Sequence, residues 1–498
     1  MLAVLNVPTI GEVQVPTGIF VDNEWSASSD NATFPTVNPA NGKPLLEFSH
    51  ASSVDVDRAV ASARRAFQTT WGNNVPATAR AGLLFKLADL MERDSKLIGA
   101  LESLNSGKGV RIAAGGDVAD SIACLRYYAG LADKIHGQTI SHYGKDKFVY
   151  TLHQPIGVCG QIIPWNYPLQ MWAWKIGPAI AAGCTVVMKP SELTPLTALY
   201  MCNLVKEAGF PPGVINTVAG MGATTGEAIA RHMDIDKVAF TGSVITGRKI
   251  SVAAAESNLK KVTLELGGKS PSIVFDSANI KEVANWVALG IFYNSGQDCC
   301  AGSRVYVQSQ IYDKFVDALK AKAEQCKIGQ PCDEETSFGP LISEAQRDKV
   351  LGFIESGRAE GARVLTGGHK WAQSNGGYWV EPTVLVDVEP FMKVVREEIF
   401  GPVIVAAAFE TEAEAVDIAN DTSYGLAAAV FTNDTRQATR MSHALDAGTI
   451  WVNHYAYLHP GVPFGGFKQS GIGRELGTYG LEAYTQVKAV HQNLNLTL

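Results

Sequence analysis

The apolar positions of this chain change period more than once. Early on they recur at the three-and-four spacing of helices that bury one face. That spacing predicts a helix over 53–67, with Ser53 as a capping residue, and a third over 117–135. Between them a second helix is expected over 78–101, with Leu83, Leu84, Leu87, Leu90 and Met91 on one face. Residues before 53 read as an irregular start, and 148–154 alternates like a strand.

From Gly157 the pattern becomes strand, helix, strand, helix. Apolar runs at 158–163, 185–188, 214–218 and 237–240 read as strands, and 196–208 and 225–232 as helices. Such alternation predicts a parallel sheet with helical crossovers, whose ligands bind beyond the carboxyl ends of the strands. Beyond Gly268 a second set begins, with strands expected over 272–275, 304–307, 403–406 and 426–431. The fold class is therefore α/β, with two doubly wound α/β domains. The tail, 483–493, alternates again and can pair with 148–154 or with another subunit. The stretch 162–188 carries one charge, Lys175, but Pro164, Pro168, Pro178 and Gly183 interrupt it. It reads as a buried strand–helix–strand unit, not a membrane span.

A hydrophobic fraction of 46% and a charged fraction of 18% suit a soluble globular chain with large cores. The net charge of −7 and the lack of a long basic run argue against a nucleic-acid partner. The cysteines (Cys124, Cys159, Cys184, Cys202, Cys299, Cys300, Cys326 and Cys332) show neither CxxC spacing nor histidines at metal-ligand intervals. They imply a reducing compartment, no metal centre, and mostly small core fillers. Residues 1–18 hold two prolines and no Lys or Arg, unlike a signal or transit peptide, so a cytoplasmic location is expected.

The segment Phe292-Tyr293-Asn294-Ser295-Gly296-Gln297-Asp298-Cys299-Cys300-Ala301-Gly302-Ser303-Arg304 places a thiol pair after a Gly-Gln turn. Cys299 is the candidate nucleophile and Cys300 its rival. The thiolate is the reactive form, so the thiol needs a helix N-terminus, a cation or a base. Glu265, in Leu264-Glu265-Leu266-Gly267-Gly268-Lys269-Ser270-Pro271, is the candidate base. Apolar neighbours raise a carboxylate's pKa and make it a better base near neutrality. Phe240-Thr241-Gly242-Ser243 opens a helix after a strand. There glycine permits close backbone approach and the helix N-terminus attracts pyrophosphate.

These segments resemble the aldehyde dehydrogenase superfamily. So do Pro164-Trp165-Asn166-Tyr167-Pro168, Lys189-Pro190-Ser191-Glu192, Glu398-Ile399-Phe400-Gly401-Pro402 and Pro463-Phe464-Gly465-Gly466-Phe467-Lys468, in the family's order and spacing. The resemblance covers essentially the whole chain. It implies a Rossmann-like cofactor domain over 1–132 and 156–267, a catalytic domain over 268–475, and a small oligomerisation element from 133–155 and 476–498. It also implies a homodimer or homotetramer acting on a small-molecule aldehyde.

By the same resemblance Cys299 attacks the aldehyde, and Asn166 with the Cys299 backbone N–H meets the oxyanion. Glu265 activates water to release the acid, and branches that pass the acyl group to coenzyme A tend to lack this residue. Lys175 and Glu475 match a proton relay or an ordinary ion pair. The resemblance assigns the cofactor to Ile162, Ile163, Pro164, Trp165, Lys189, Ser191, Glu192, Gly222, Phe240, Thr241, Gly242, Ser243, Leu266, Gly267, Glu398 and Phe400. Glu192 favours NAD because a carboxylate binds ribose hydroxyls and repels a 2′-phosphate, whereas Lys189 leaves NADP open. The substrate tunnel is expected from Tyr167, Met171, Trp174, Tyr293, Asp298, Cys300, Tyr457, Leu458 and Phe464. Its aromatic character suits hydrophobic or aromatic aldehydes. Asp298 introduces a charge that either favours cationic aldehydes or faces water, and semialdehyde or amino-aldehyde specialists stay as alternatives. A non-catalytic relative would have lost Cys299, Glu265 or Asn166, and all three are present.

Overall fold

Val158–Ile162, Thr185–Lys189 and Lys237–Thr241 are buried along their whole lengths, which is why they read as continuous apolar runs. In the computed structural model, which describes residues 1–141, 143–373 and 376–495, they form the centre of an eight-stranded sheet. Its order is Gly471–Ile472, Lys261–Glu265, Lys237–Thr241, Val158–Ile162, Thr185–Lys189, Ile215–Thr217, Ile19–Val21 and Glu24–Ser26. The strands from Lys261–Glu265 to Ile215–Thr217 are parallel, and the outer ones are antiparallel.

A second, seven-stranded sheet runs Arg363–Thr366, Thr383–Val386, Val403–Phe409, Arg304–Gln308, Pro271–Val274, Ala427–Phe431 and Thr449–Val452. Only its first pair is antiparallel. One short strand of the later chain, Gly471–Ile472, returns to the first sheet beside Lys261–Glu265. The tail, Thr485–Asn493, pairs antiparallel with Lys147–Pro155, so its partner strand lies in the same chain.

Three expectations need correction. The first 49 residues are not irregular: they form antiparallel pairs, Leu2–Val7 with Gly11–Pro16, Ile19–Val21 with Glu24–Ser26, and Thr33–Asn38 with Lys43–Ser49. In the middle pair Asp22 and Asn23 turn the chain at φ 55° and 59°, the left-handed geometry that tight hairpins demand. The cap of the first helix, Ser53–Thr69, is Ser52 rather than Ser53. The Ser52 hydroxyl accepts from the Asp55 N–H and the Asp55 carboxylate accepts from the Ser52 N–H, a reciprocal box counted from Ser52. The helix expected over 78–101 is two, Ala77–Arg93 and Ser95–Ser106, broken at Asp94. There the Asp94 carboxylate turns to Arg93 and the Tyr200 hydroxyl.

Candidate functional site

Three strands of the first sheet, Val158–Ile162, Lys237–Thr241 and Lys261–Glu265, end side by side. Facing their carboxyl ends is the turn between the helix Ile280–Phe292 and the strand Arg304–Gln308. Between them lies a cavity of about 390 Å³. Cys299 and Glu265 both line it, although they come from different sheets.

The turn that carries Cys299 is held in an unusual backbone. Asn294, Ser295 and Gly296 are all left-handed, at φ 49°, 54° and 71°. For residues other than glycine this costs about 1–2 kcal/mol each, so surrounding bonds must hold them. The Asn294 amide donates to the carbonyls of Asn166 (2.9 Å) and Gln297 (3.2 Å). The Ser295 hydroxyl donates to Gly339 O (2.7 Å), and Gln297 Oε1 accepts the Ile342 N–H (2.9 Å). The Gly-Gln of the motif is thus a brace. On the other side, a Cβ on Gly268 would stand 2.5 Å from the Cys299 carbonyl oxygen, and one on Gly267 would overlap the Glu398 carboxylate. Only glycine lets these loops approach so closely.

Cys299 is half-buried, and Cys300 is buried. The adjacent Cys300 thiol lowers the Cys299 pKa, but burial and the carboxylates of Asp298, Glu265 and Glu398 outweigh it, so Cys299 is shifted up overall. Glu265 is 4% exposed, and its Oε2 has no hydrogen-bond partner among the described residues. Burial, reinforced by Glu475, pushes its carboxyl well above the ordinary range despite Lys175 and Arg474. Asn166, 5% exposed, donates its amide N–H to Gln297 O at 3.0 Å. Lys175 is fully buried and bonds Glu475 Oε1 and Thr241 Oγ1, both at 2.6 Å. Lys175 and Glu475 thus form a buried ion pair beside Glu265.

Of the residues assigned to a cofactor, Pro164, Trp165, Thr241, Gly242, Ser243, Leu266, Gly267, Glu398 and Phe400 line this cavity. The Trp165 and Phe400 rings meet edge-on at 5.2 Å. Glu398 accepts the Gly268 N–H at 2.9 Å, and burial raises its carboxyl to about 7. Ile162, Ile163 and Phe240 are buried beside it at the strand ends. Lys189 ends the next strand along the sheet, Ser191 and Glu192 follow it, and Gly222 follows the strand after that, all outside the cavity wall. Lys189 Nζ contacts Glu192 Oε2 at 3.2 Å, and its stem runs about 3.6 Å from where a Gly226 Cβ would be.

Known proteins share both this sequence and this architecture. The profile of the aldehyde dehydrogenase family matches residues 25–490. An aldehyde dehydrogenase of Aspergillus niger is 53% identical over 99% of this chain and 98% of its own length. The chain belongs to the aldehyde dehydrogenase family. The human protein named aldehyde dehydrogenase, mitochondrial, is 53% identical over 95% of this chain and 91% of its own. Among solved structures, the NAD+ complex of the Bacillus cereus aldehyde dehydrogenase superposes with a TM-score of 0.94 at 47% identity, covering 96% of this chain and 97% of that one.

Of the residues expected in the substrate tunnel, Tyr167, Met171, Trp174, Tyr293, Asp298, Cys300, Leu458 and Phe464 line the cavity. Trp174 and Phe464 pack edge-on at 5.5 Å. Tyr457 does not line it: the residue is 66% exposed, and only its carbonyl turns inward, accepting from Trp451 Nε1. Ala456, left-handed at φ 58°, and Leu458 line the cavity, while Tyr457 between them is exposed. Sequence reasoning missed Asp117, Asp120, Gln170, Leu289 and Ala456 on this side, and Gln346 and Lys349 near Glu398. Asp120 accepts from Gln170 Nε2 at 3.1 Å, and burial lifts its carboxyl to about 6. None of these residues sits in a motif. Among the described residues no helix is long and apolar enough to cross a membrane, and all eight cysteines are free thiols.

Proposed function

We propose that this enzyme oxidises an aldehyde to its carboxylic acid with NAD, through a thioester on Cys299 that water hydrolyses with Glu265 as base. The observation that carries this reading is the shared cavity: a half-buried thiol and a desolvated carboxylate with a free oxygen open onto one space. Loops that hold the thiol and the base touch through Gly268, so their separation is fixed by backbone.

The strand-end residues fit a dinucleotide. Gly242 and Ser243 enter the N-terminus of the helix Val244–Glu256, which suits pyrophosphate. Glu192 offers a carboxylate for ribose hydroxyls at the next strand, with Lys189 beside it, and Glu398 offers a second at the cavity. Bound there, oxidised nicotinamide supplies the hydride acceptor that the oxidation requires. Cys299, once deprotonated, adds to the aldehyde carbon and leaves charge on oxygen. An amide nitrogen carries two hydrogens, so Asn166 keeps one for that oxygen after bonding Gln297, and the Cys299 N–H supplies a second donor. When hydride has left, the carbon is a thioester. Glu265 takes a proton from water, the hydroxide adds, and the acid departs as the sulfur is released.

Aromatic and apolar walls favour hydrophobic or aromatic aldehydes. Asp120, a carboxylate on the cavity wall, is the observation favouring the amino-aldehyde alternative. The sheet of Thr139–Ile140, Lys147–Pro155 and Thr485–Asn493 ends in an exposed edge, Thr485–Asn493, which supports a homodimer or homotetramer formed through it. NADH formation across hexanal, phenylacetaldehyde, 3-aminopropanal and succinic semialdehyde, with NAD or NADP and with Cys299→Ala alongside, tests the proposal. Turnover that needs Cys299 supports it; turnover that survives Cys299→Ala, or none with any aldehyde, refutes it.

A further inference from the structure

Two thiols stand next to each other at this site, and something must decide which one faces the substrate. The side chain of Asp298 makes bonds that bear on that choice. Its Oδ1 accepts the Cys300 backbone N–H at 3.1 Å and the Cys300 thiol at 3.2 Å. Its Oδ2 accepts the Tyr167 hydroxyl at 2.9 Å. Its own carbonyl accepts the Ala301 N–H at 3.2 Å, closing the turn. The Cys300 carbonyl is gripped from the far side by the Tyr455 hydroxyl at 2.7 Å. Tyr167 is fixed in turn by Lys108, whose ammonium lies 3.9 Å from the ring centroid and pairs with buried Asp117.

We propose that Asp298 is a positioning residue: its carboxylate ties down the Cys300 thiol and the Tyr167 hydroxyl, so that Cys299 alone is presented to the aldehyde. This rests on Cys299 being the nucleophile, as proposed above. A carboxylate is acceptor-only, and both oxygens of Asp298 are already engaged by donors of the protein. Three of its about four acceptor sites are in use, and kinetics with a cationic and an apolar aldehyde separate this positioning role from reading of substrate charge. Tyr167 gains a second duty. Its ring is wall, and its hydroxyl steadies the nucleophile turn.

The test uses the full-length enzyme without aldehyde or NAD. Iodoacetamide, from which a thiolate displaces iodide, is applied across a pH series, and the labelled cysteine is located by peptide mass spectrometry. In parallel, kcat and KM are measured with hexanal and 3-aminopropanal. Wild type is expected to label at Cys299; labelling first at Cys300 would overturn the nucleophile assignment itself. If Cys299 labels, Asp298→Ala is expected to label at both cysteines. Its kcat should fall about tenfold, the scale expected when one hydrogen bond no longer orders the transition state, with little change in KM for either aldehyde. Asp298→Asn keeps an acceptor for the Cys300 N–H and should restore most of the kcat and the single label.

Asn also removes one of the carboxylate charges facing Cys299, leaving Glu265 and Glu398 beside the hydrogen-bonded Cys300 thiol, so its alkylation profile should shift to lower pH. That shift reports the nearness of the charge alone; the positioning role is read from the second label at Cys300 in Asp298→Ala and its loss again in Asp298→Asn. Tyr167→Phe should show a weaker form of the Asp298→Ala behaviour, and it keeps the test open should Asp298→Ala fold poorly. Labelling confined to Cys299 with wild-type kcat in both Asp298→Ala and Tyr167→Phe would overturn the proposal. So would a rise in KM for 3-aminopropanal alone, which would make Asp298 a substrate-binding group.

Discussion

The two ends of the cavity are built differently. On the side proposed for the cofactor the wall comes from short contiguous segments at the ends of adjacent parallel strands: 164–165, 241–243 and 265–267, with Glu398 and Phe400 opposite. On the substrate side it comes from single side chains of separate elements: Asp117 and Asp120, Gln170 and Trp174 on the helix Pro168–Ala182, Leu289 on Ile280–Phe292, and Ala456, Leu458 and Phe464 from later loops. One end uses backbone geometry, which needs glycines and helix starts at fixed places. The other uses side-chain volume and charge, which many sequences can supply. The backbone end should therefore be brittle, and the side-chain end tunable.

The sharpest break should come at the base between them. Glu265→Gln is expected to lower steady-state turnover by about a hundredfold to ten-thousandfold, the range for removal of a general base. Because burial, with Glu475, raises the Glu265 pKa, the carboxylate is protonated at lower pH and becomes available only as pH rises. Wild-type deacylation should thus climb with pH through that raised pKa, and the Gln variant should lose the slope. A pH–rate profile of both proteins checks the sign; an identical slope in the two would assign it elsewhere.

Next comes the backbone end. A Cβ at Gly268 would press on the Cys299 carbonyl, so Gly268→Ala should displace the nucleophile and cost about a hundredfold in kcat. Single-turnover rates would show it, and a rate within twofold of wild type would mean the loop gives way freely. The side-chain end should respond more gently. Asp120→Asn is expected to raise KM for 3-aminopropanal by about tenfold while leaving hexanal and NAD unchanged, the scale of one charge interaction. Steady-state kinetics with both aldehydes would measure it, and equal effects on both would remove Asp120 from charge recognition. Smallest of all, Tyr457→Phe should change neither constant, because the ring points out of the cavity.

The same contrast explains what could be read from the sequence. Strand–glycine–helix segments carry their geometry in local residue order, so the strand ends at Thr241, Gly242 and Glu265 could be placed from the sequence, while the roles proposed for them and for Cys299 rest on the family resemblance. Asp117 and Asp120 could not be placed, since a helix wheel alone does not say which carboxylate faces a cavity made by a distant turn. Tyr457 was misplaced for a related reason: Ala456 and Leu458 line the cavity in its stead, and in an irregular loop with a left-handed alanine the residue order gives no signal of which neighbour points inward. Among the fold elements the buried parallel strands were plain from their apolar runs. The N-terminal hairpins were hidden because the middle pair has strands of only three residues, the other strands are partly exposed, and Asp22-Asn23 is a weaker turn signal than a glycine pair.

The central claim is a covalent acyl group on Cys299 that Glu265 clears. It is tested most directly by mixing Glu265→Gln with NAD and hexanal, quenching in acid, and locating any adduct by intact-protein and peptide mass spectrometry. The expected result is an acyl thioester accumulating on Cys299, to about one per chain, as slowed hydrolysis strands the intermediate. An adduct on Cys300, or an enzyme that makes NADH with no adduct on either cysteine and no loss of rate, would contradict it.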